Sequence, residues 1–227
     1  MTLDTPVADD IRNQLAQMRR SYGDEGLTEA SLPTSPLDLF TSWLQDATAN
    51  PYIVEPNAMV LSTSDITSRS VLLKDLNNSR FSFFTNYNSR KSKAIAKDPQ
   101  ACLLFPWYAM ERQVIVIGQA LKVSEEISDQ YFASRPYGSQ IGAWASAQSE
   151  RINNREELEL NFKKFSDQYP EGSKVPRPSY WGGFEVKAES IEFWQGRYSR
   201  LHDRIRYVRD LASGQESDQW SWMRLNP

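Results

Sequence analysis

The chain is poor in the residues from which metalloenzymes and thiol enzymes are built: its 227 residues include one histidine, His202, and one cysteine, Cys102. With one of each, the usual zinc-ligand sets cannot be assembled within a chain, so no catalytic transition metal is expected. Cys102 has no partner for an internal disulfide, and its apolar setting, ACLLFPW, predicts a buried strand residue in a reducing compartment. No apolar run approaches the roughly 20 residues of a membrane span. The start, MTLDTPVADDIRNQL, has neither the basic nor the apolar segment of a secretory leader, so a cytoplasmic protein is expected. Positive charge is not in excess either. Lys and Arg number 26 against 29 Asp and Glu, a net charge of −3, which argues against nucleic acid or an anionic membrane as partner. No GxGxxG or GxxxxGK[ST] stretch occurs, so neither a Rossmann dinucleotide site nor a P-loop is supported.

What remains is ordinary globular composition, 40% apolar and rich in aromatics, long enough for one enlarged domain. Residues 7–22 read as an amphipathic helix, with Val7, Ile11, Leu15 and Met18 at helical spacing and Arg19, Arg20 and Tyr22 at its end. In PTSPLDLFTSWLQDA, Ser35 predicts an N-cap, Pro36 a first helical position, and Leu37, Phe40, Trp43 and Leu44 a buried face. Five β-branched or aromatic runs then follow between about 57 and 123: AMVLSTS, RSVLLKDL, RFSFFTN, ACLLFPW and RQVIVIGQALKV. They point to a barrel or sandwich, interrupted by a short helix, SRKSKAIAKDP, capped by Ser89. Beyond them SEEISDQYFASRP and residues 150–168 read as helices, and SDQYPEGSKVPRPSY as a loop. WGGFEVKAESIEFWQG, RIRYVRD and QWSWMRL then return to the same sheet, being too few for a core of their own. The expected fold class is mainly β with flanking helices.

Four stretches combine cations with hydroxyl or amide side chains: RSVLLK (69–74), TNYNSRK (85–91), SRPYGS (134–139) and RYSRLHDR (197–204). Phosphate is the simplest common target, because guanidinium forks, lysine charge, Ser and Thr hydroxyls and helix-start amides together make an oxyanion cradle. Each stretch alone could be a solvated charged face. Four in an acidic chain favour anion sites. On the residues alone, His202 is either a hydrogen-bonded structural imidazole or a catalytic group, and Asp203 could pair with a neighbouring arginine. Trp194 could be plain core, and Gln113, Gln148 and Ser149 plain surface. Beside phosphate cradles, however, an aromatic face with a few amides and hydroxyls suits a planar nucleotide-like cofactor.

RRSY (19–22), RSVLLK, FFTNYNSRK, LLFPWYAMERQVIVIG, YFASRPYGSQIGAWASAQS, YWGG and IEFWQGRYSRLHDR together resemble, in order and approximate spacing, the pyridoxamine (pyridoxine) 5'-phosphate oxidases. The likeness spans nearly the whole chain. It implies an FMN-binding split β-barrel in a single domain, 1–227, with an N-terminal helical segment to about 30 and a dimerisation and substrate region from about 175. It also implies a homodimer with FMN at the subunit interface, and the oxidation of pyridoxamine or pyridoxine 5'-phosphate by O2. By matching motifs, FMN contacts are expected at Arg69, Ser70, Val71, Leu72, Leu73, Lys74, Phe84, Thr85, Arg90, Lys91, Gln113, Gln148, Ser149, Trp194 and Arg204. Lys74, Tyr131, Arg135 and Ser139 are expected around the substrate phosphate. Arg200, Leu201 and His202 are expected at the ring, with Arg200 and His202 catalytic. Arg19 and Tyr22 belong to a segment expected to fold over bound substrate. Phe84 stands where many relatives have tyrosine, and Tyr137 where a second arginine is frequent. A reductase or oxidase for another substrate would keep the FMN residues without SRPYGS and RLHDR paired. A non-catalytic FMN- or pyridoxal-phosphate-binding module would bind without making peroxide.

Overall fold

The computed structural model describes residues 9–18, 21–210 and 219–227. The chain runs α1 (Asp9–Gln17), α2 (Pro36–Ala49), β1 (Ala58–Thr63), β2 (Thr67–Leu72), β3 (Asp75–Asn77), β4 (Arg80–Asn86), α3 (Arg90–Lys97), β5 (Gln100–Trp107) and β6 (Arg112–Lys122). It continues through α4 (Glu125–Ser134), α5 (Tyr137–Ala145), α6 (Arg155–Gln168), β7 (Trp181–Gln195), β8 (Asp203–Arg209) and β9 (Trp220–Leu225). All strand pairs are antiparallel, in the order β2-β1-β5-β6-β7-β4-β3, with β8 on β7 and β9 on β8.

The sheet splits along β7. Its first part, Trp181 to Lys187, pairs with β4; its last part, Ser190 to Gln195, pairs with β8; β6 follows both. The register shifts between Ile117 and Gly118 of β6, just where β7 changes partner. Such a bulge kinks one strand against the other and sends the sheet two ways. Gly118 permits the close approach, since a Cβ there would meet the Lys187 carbonyl oxygen at 1.9 Å.

Helix α2 packs Phe40, Trp43 and Ala47 into the main core of the sheet. Ser35 caps it by accepting the Leu37 N–H, and Pro36 occupies the first turn. Phe40, fully buried, stands edge-on to Phe81 at 5.1 Å and Phe105 at 5.0 Å. Edge-to-face packing of this kind adds to the free energy of burying the rings. A second apolar cluster, with Phe132, Ile141, Val175 and Trp181, lies under α4, α5 and the loop after α6.

Several expectations need correcting. Helix α1 ends at Gln17, so Tyr22 lies on non-helical chain beyond it; Val7, Arg19 and Arg20 lie outside the described residues. RSVLLKDL is two strands, because Leu73 turns into the core while the Lys74 N–H bonds the Ser82 carbonyl. Ser89 does precede α3, but its hydroxyl bonds Ser92 and makes no side-chain cap. Cys102 is in a strand but only half-buried. It pairs with Ser62 and Ile117 on the face away from the core, and Ala101 and Leu103 take the buried positions. Helix α5 was not anticipated.

Candidate active site

A cleft of about 1140 Å3 opens between β2, the end of β4, the start of α3, and the α4–α5 corner. Among the described residues five cations line it, Arg69, Lys74, Arg90, Lys91 and Arg135, and no carboxylate does. Local structure aims them. Arg69 projects from β2 and donates to the Leu61 carbonyl (3.1 Å), to Thr63 Oγ1 (2.9 Å) and to Thr67 Oγ1. Asp65, in the turn before β2, accepts from Thr63, Thr67 and Arg90 Nε; these bonds hold its carboxyl well below the usual carboxylate range. Asp65 thus fixes the cation cluster from behind without entering the cleft.

Lys91, on the first turn of α3, is buried and donates to Gln148 Oε1 (2.9 Å) and Thr85 Oγ1 (3.1 Å). Thr85 also donates to Gln148 Oε1 (3.0 Å). Burial first, then the neighbouring Arg69 charge, pulls the Lys91 ammonium down to about 8. Asp65 is the carboxylate that acts on this cluster, and it does so from behind through Arg69 and Arg90, so the cations present net positive charge to the cleft, as an anion site requires. Ser149, next in line, holds a positive φ of 73° on the cleft wall.

The second group of cleft residues comes from α4 and α5. Arg135 is the C-cap of α4. Its guanidinium lies 4.6 Å over the Trp181 ring, and its Nη1 is buried with no hydrogen-bond partner. Burial lowers its pKa, partly offset by Tyr131. A buried charged donor left unpaired is costly enough that it marks a place for an acceptor. Tyr131 stacks on Phe84 at 3.8 Å and lies parallel to Trp181 at 6.2 Å. Ser139 completes this wall. Tyr137, by contrast, does not line the cleft; its hydroxyl donates to the Tyr169 carbonyl at 2.8 Å. Trp181 is a site residue that the sequence did not single out, although it stands in YWGG.

Not every expected residue meets here. Ser70, Val71, Leu72 and Ser149 line the cleft with the residues above, but Leu73 has its side chain in the core. Gln113, Trp194 and Arg204 do not line it. They face one another across β6, β7 and β8, in a single row on the sheet face away from the core. Val114, Phe193 and Ile205, one position along each strand, are fully buried on the other face. Arg204 is held by Glu192 Oε1 (2.8 Å) and the Asn226 carbonyl (3.1 Å).

Arg200, Leu201 and His202 lie beside that row, in the loop joining β7 to β8, outside the cleft. Ser199 and Arg200 both take positive φ, 56° and 63°. Arg200 and Leu201 are exposed. His202 Nδ1 accepts the Arg197 N–H at 3.0 Å, which leaves the ring proton on Nε2. Burial, then Arg200, pushes its pKa down, so the neutral imidazole presents an Nε2–H donor. Its ring packs 4.7 Å from Trp194 and 5.3 Å from Tyr22. Asp203 is structural: it accepts from Leu27 N, Arg197 and Arg224. Arg19 lies outside the described residues.

Comparison with known proteins gives a consistent picture. Residues 46–169 match the family model described as pyridoxamine 5'-phosphate oxidase, and residues 181–227 match the one described as pyridoxine 5'-phosphate oxidase C-terminal dimerisation region. A pyridoxine/pyridoxamine 5'-phosphate oxidase of Streptomyces avermitilis is 46% identical over 219 residues, covering 93% of this chain and 96% of the relative. One of Thermobifida fusca is 47% identical over 218 residues, covering 93% and 97%. Among solved structures, PhzG from Burkholderia lata 383, in complex with tetrahydrophenazine-1-carboxylic acid, superposes with a TM-score of 0.79 at 27% identity, over 90% of this chain and 100% of PhzG.

Proposed function

Because the chain belongs to the pyridoxamine 5'-phosphate oxidase family and is an oxidase, we propose that it uses FMN and O2 to turn pyridoxine or pyridoxamine 5'-phosphate into pyridoxal 5'-phosphate. The observation that carries this reading is the cleft, lined among the described residues by five cations and no carboxylate, with a buried guanidinium nitrogen lacking an acceptor. FMN and the substrate each bring one phosphate, and the cations come in two groups. Arg69, Arg90 and Lys91, with Thr85, Gln148 and Ser149, suit the flavin phosphate and its polar edge. Arg135, Lys74, Tyr131 and Ser139 suit the substrate phosphate.

Bound there, FMN would supply the redox chemistry, a two-electron route from the substrate's C4' to O2 that yields H2O2, with water releasing ammonia when the substrate is the amine. The chain's residues hold and orient. Arg135 and Lys74 anchor the phosphate remote from C4', so that binding energy goes into placing the reacting carbon. Arg200 meets the ring at the reacting end, and the His202 Nε2–H donates a hydrogen bond there. The row Gln113, Trp194 and Arg204 contributes to FMN from the other subunit of a homodimer, since these residues lie outside their own chain's cleft. A single domain is supported by β7, which starts the second matched region yet pairs with β4 and β6 of the first. A cytoplasmic setting fits the lone Cys102, and among the described residues no helix is long and apolar enough to cross a membrane.

The direct test is to purify the protein, look for bound yellow flavin, and assay pyridoxal phosphate and peroxide with each phosphate ester under air. Flavin binding without turnover would sink the catalytic reading and leave a storage or sensing module.

Lys91 supplies a pH test. Its ammonium, held down to about 8, is fully protonated well below that pH and loses its proton above it. A bound phosphate favours the protonated form, so above about pH 8 binding must take up a proton. Once the FMN phosphate is fully ionised, FMN affinity of the apoprotein should therefore change little between about pH 7 and 7.5 and fall above 8, approaching tenfold per pH unit. Fluorescence titration with FMN reads this directly. In Lys91→Met the affinity should be lower and this limb absent; a limb that persisted would assign the titration elsewhere.

A further inference from the structure

The turn between β5 and β6 ends in a residue that the reading above leaves without a role. Glu111 closes the 3-10 turn Tyr108–Met110 in the left-handed region, φ 56° and ψ 33°, a conformation that residues with a Cβ seldom adopt. The turn aims both of its polar groups at chain segments distant in sequence. Its carbonyl accepts the Gly196 N–H at 2.7 Å and Gln195 Nε2 at 3.3 Å, just where the loop carrying Arg200 and His202 begins. Its carboxylate Oε2 accepts the Gly23 N–H at 2.9 Å. Tyr22, one residue earlier, stands edge-on to Trp194 at 5.8 Å and to His202 at 5.3 Å. It lies so tightly over Gly196 that a Cβ there would come within 2.8 Å of the tyrosine ring. Ser21 and residues 23–26 are exposed around it.

We propose that Glu111 is a positioning residue: its carboxylate pins Gly23 and thereby holds Tyr22 against Trp194 and His202, joining the N-terminal strap to the loop that meets the substrate. This deepens the reading of Tyr22 and His202 as substrate residues and rests on it. The carbonyl bonds belong to the turn and survive substitution. The Gly23 bond belongs to the side chain and does not.

The test compares Glu111→Ala, Glu111→Gln and Tyr22→Ala, with the Glu111→Ala/Tyr22→Ala double variant, in the flavin-loaded full chain. Hydrogen exchange at Gly23 should quicken about tenfold in Glu111→Ala, as for one lost charge-assisted bond, with exchange in β7 unchanged. KM for pyridoxine phosphate should rise about tenfold with kcat within about twofold. Glu111→Gln, whose amide oxygen still accepts, should restore both. The double variant should be little worse than Tyr22→Ala alone, because one strap is lost either way. Unchanged Gly23 exchange in Glu111→Ala, or effects of the two substitutions that simply multiply, would overturn the proposal. So would faster exchange throughout the sheet, which marks a merely structural residue. If the unsubstituted protein oxidises neither ester, the functional reading fails, while Gly23 exchange still decides whether Glu111 pins the strap.

Discussion

Arg135→Leu should raise KM for pyridoxine phosphate by a hundredfold or more while leaving bound flavin and the fold intact. The guanidinium sits on the Trp181 face with Nη1 buried and unpaired, and no acid of the cleft competes for it. A phosphate there gains charge-assisted bonds from a donor already desolvated and held in place, and truncating such a partner costs about 2–5 kcal/mol, or roughly thirty- to several-thousandfold in binding. Because the phosphate is remote from the reacting carbon, most of the loss should appear in KM, with a smaller fall in kcat from looser placement. Arg135→Lys should fall between, keeping charge without the planar fork. The same burial makes an opposite forecast for stability. Without ligand, Arg135 is a half-buried cation whose buried Nη1 lacks an acceptor, so leucine in its place should leave the thermal midpoint of the apoprotein unchanged or raise it. A large drop in midpoint with KM unchanged would make Arg135 a structural residue and remove the substrate-phosphate assignment.

How much of this the sequence carries depends on whether the cause is local. Ser35 and Pro36 start α2 through a local cap, and the alternation in β1, β5 and β6 is a property of each strand, so these elements are legible. RSVLLKDL is not, because the break at Leu73 and Lys74 arises when the chain stops pairing with β1 and begins pairing with β4. Helix α5 is short and carries two glycines; it is set by packing Ile141 against the second cluster, a tertiary cause. The same division runs through the site. The cationic stretches are visible as motifs, and the cleft gathers those at 69–74, 85–91 and 134–139. Trp181 matters through the Arg135 guanidinium lying on its ring, and Glu111 through the backbone of a turn and the Gly23 amide, so neither announces itself in one dimension. Cys102 is only half-buried in its apolar stretch because its neighbours Ala101 and Leu103 take the inward positions, an alternation set by strand register and not by composition.

The RYSRLHDR stretch is the one cationic motif that stays outside the cleft, and from this follows the sharpest test of how a whole site is assembled. Arg200→Leu should lower kcat roughly a hundredfold or more, as when a donor at the developing charge is removed, with flavin retained because the residues assigned to FMN are untouched. Arg135→Leu is nearly inactive when assayed far below its raised KM. In a twofold dimer that completes each site from both chains, mixing the two variants gives heterodimers with one doubly damaged site and one intact site. The intact site takes its cleft from the Arg200→Leu subunit and its Arg200 from the Arg135→Leu subunit. Random reassociation makes about half the dimers mixed, each with one of two sites whole, so an equal mixture should recover about a quarter of the unsubstituted activity after subunit exchange. A site built within one chain predicts no recovery above the average of the two parents. That outcome would require the loop at 197–202 to swing across its own sheet into its own cleft, against the anchors that fix Arg197, Asp203 and His202 where they stand.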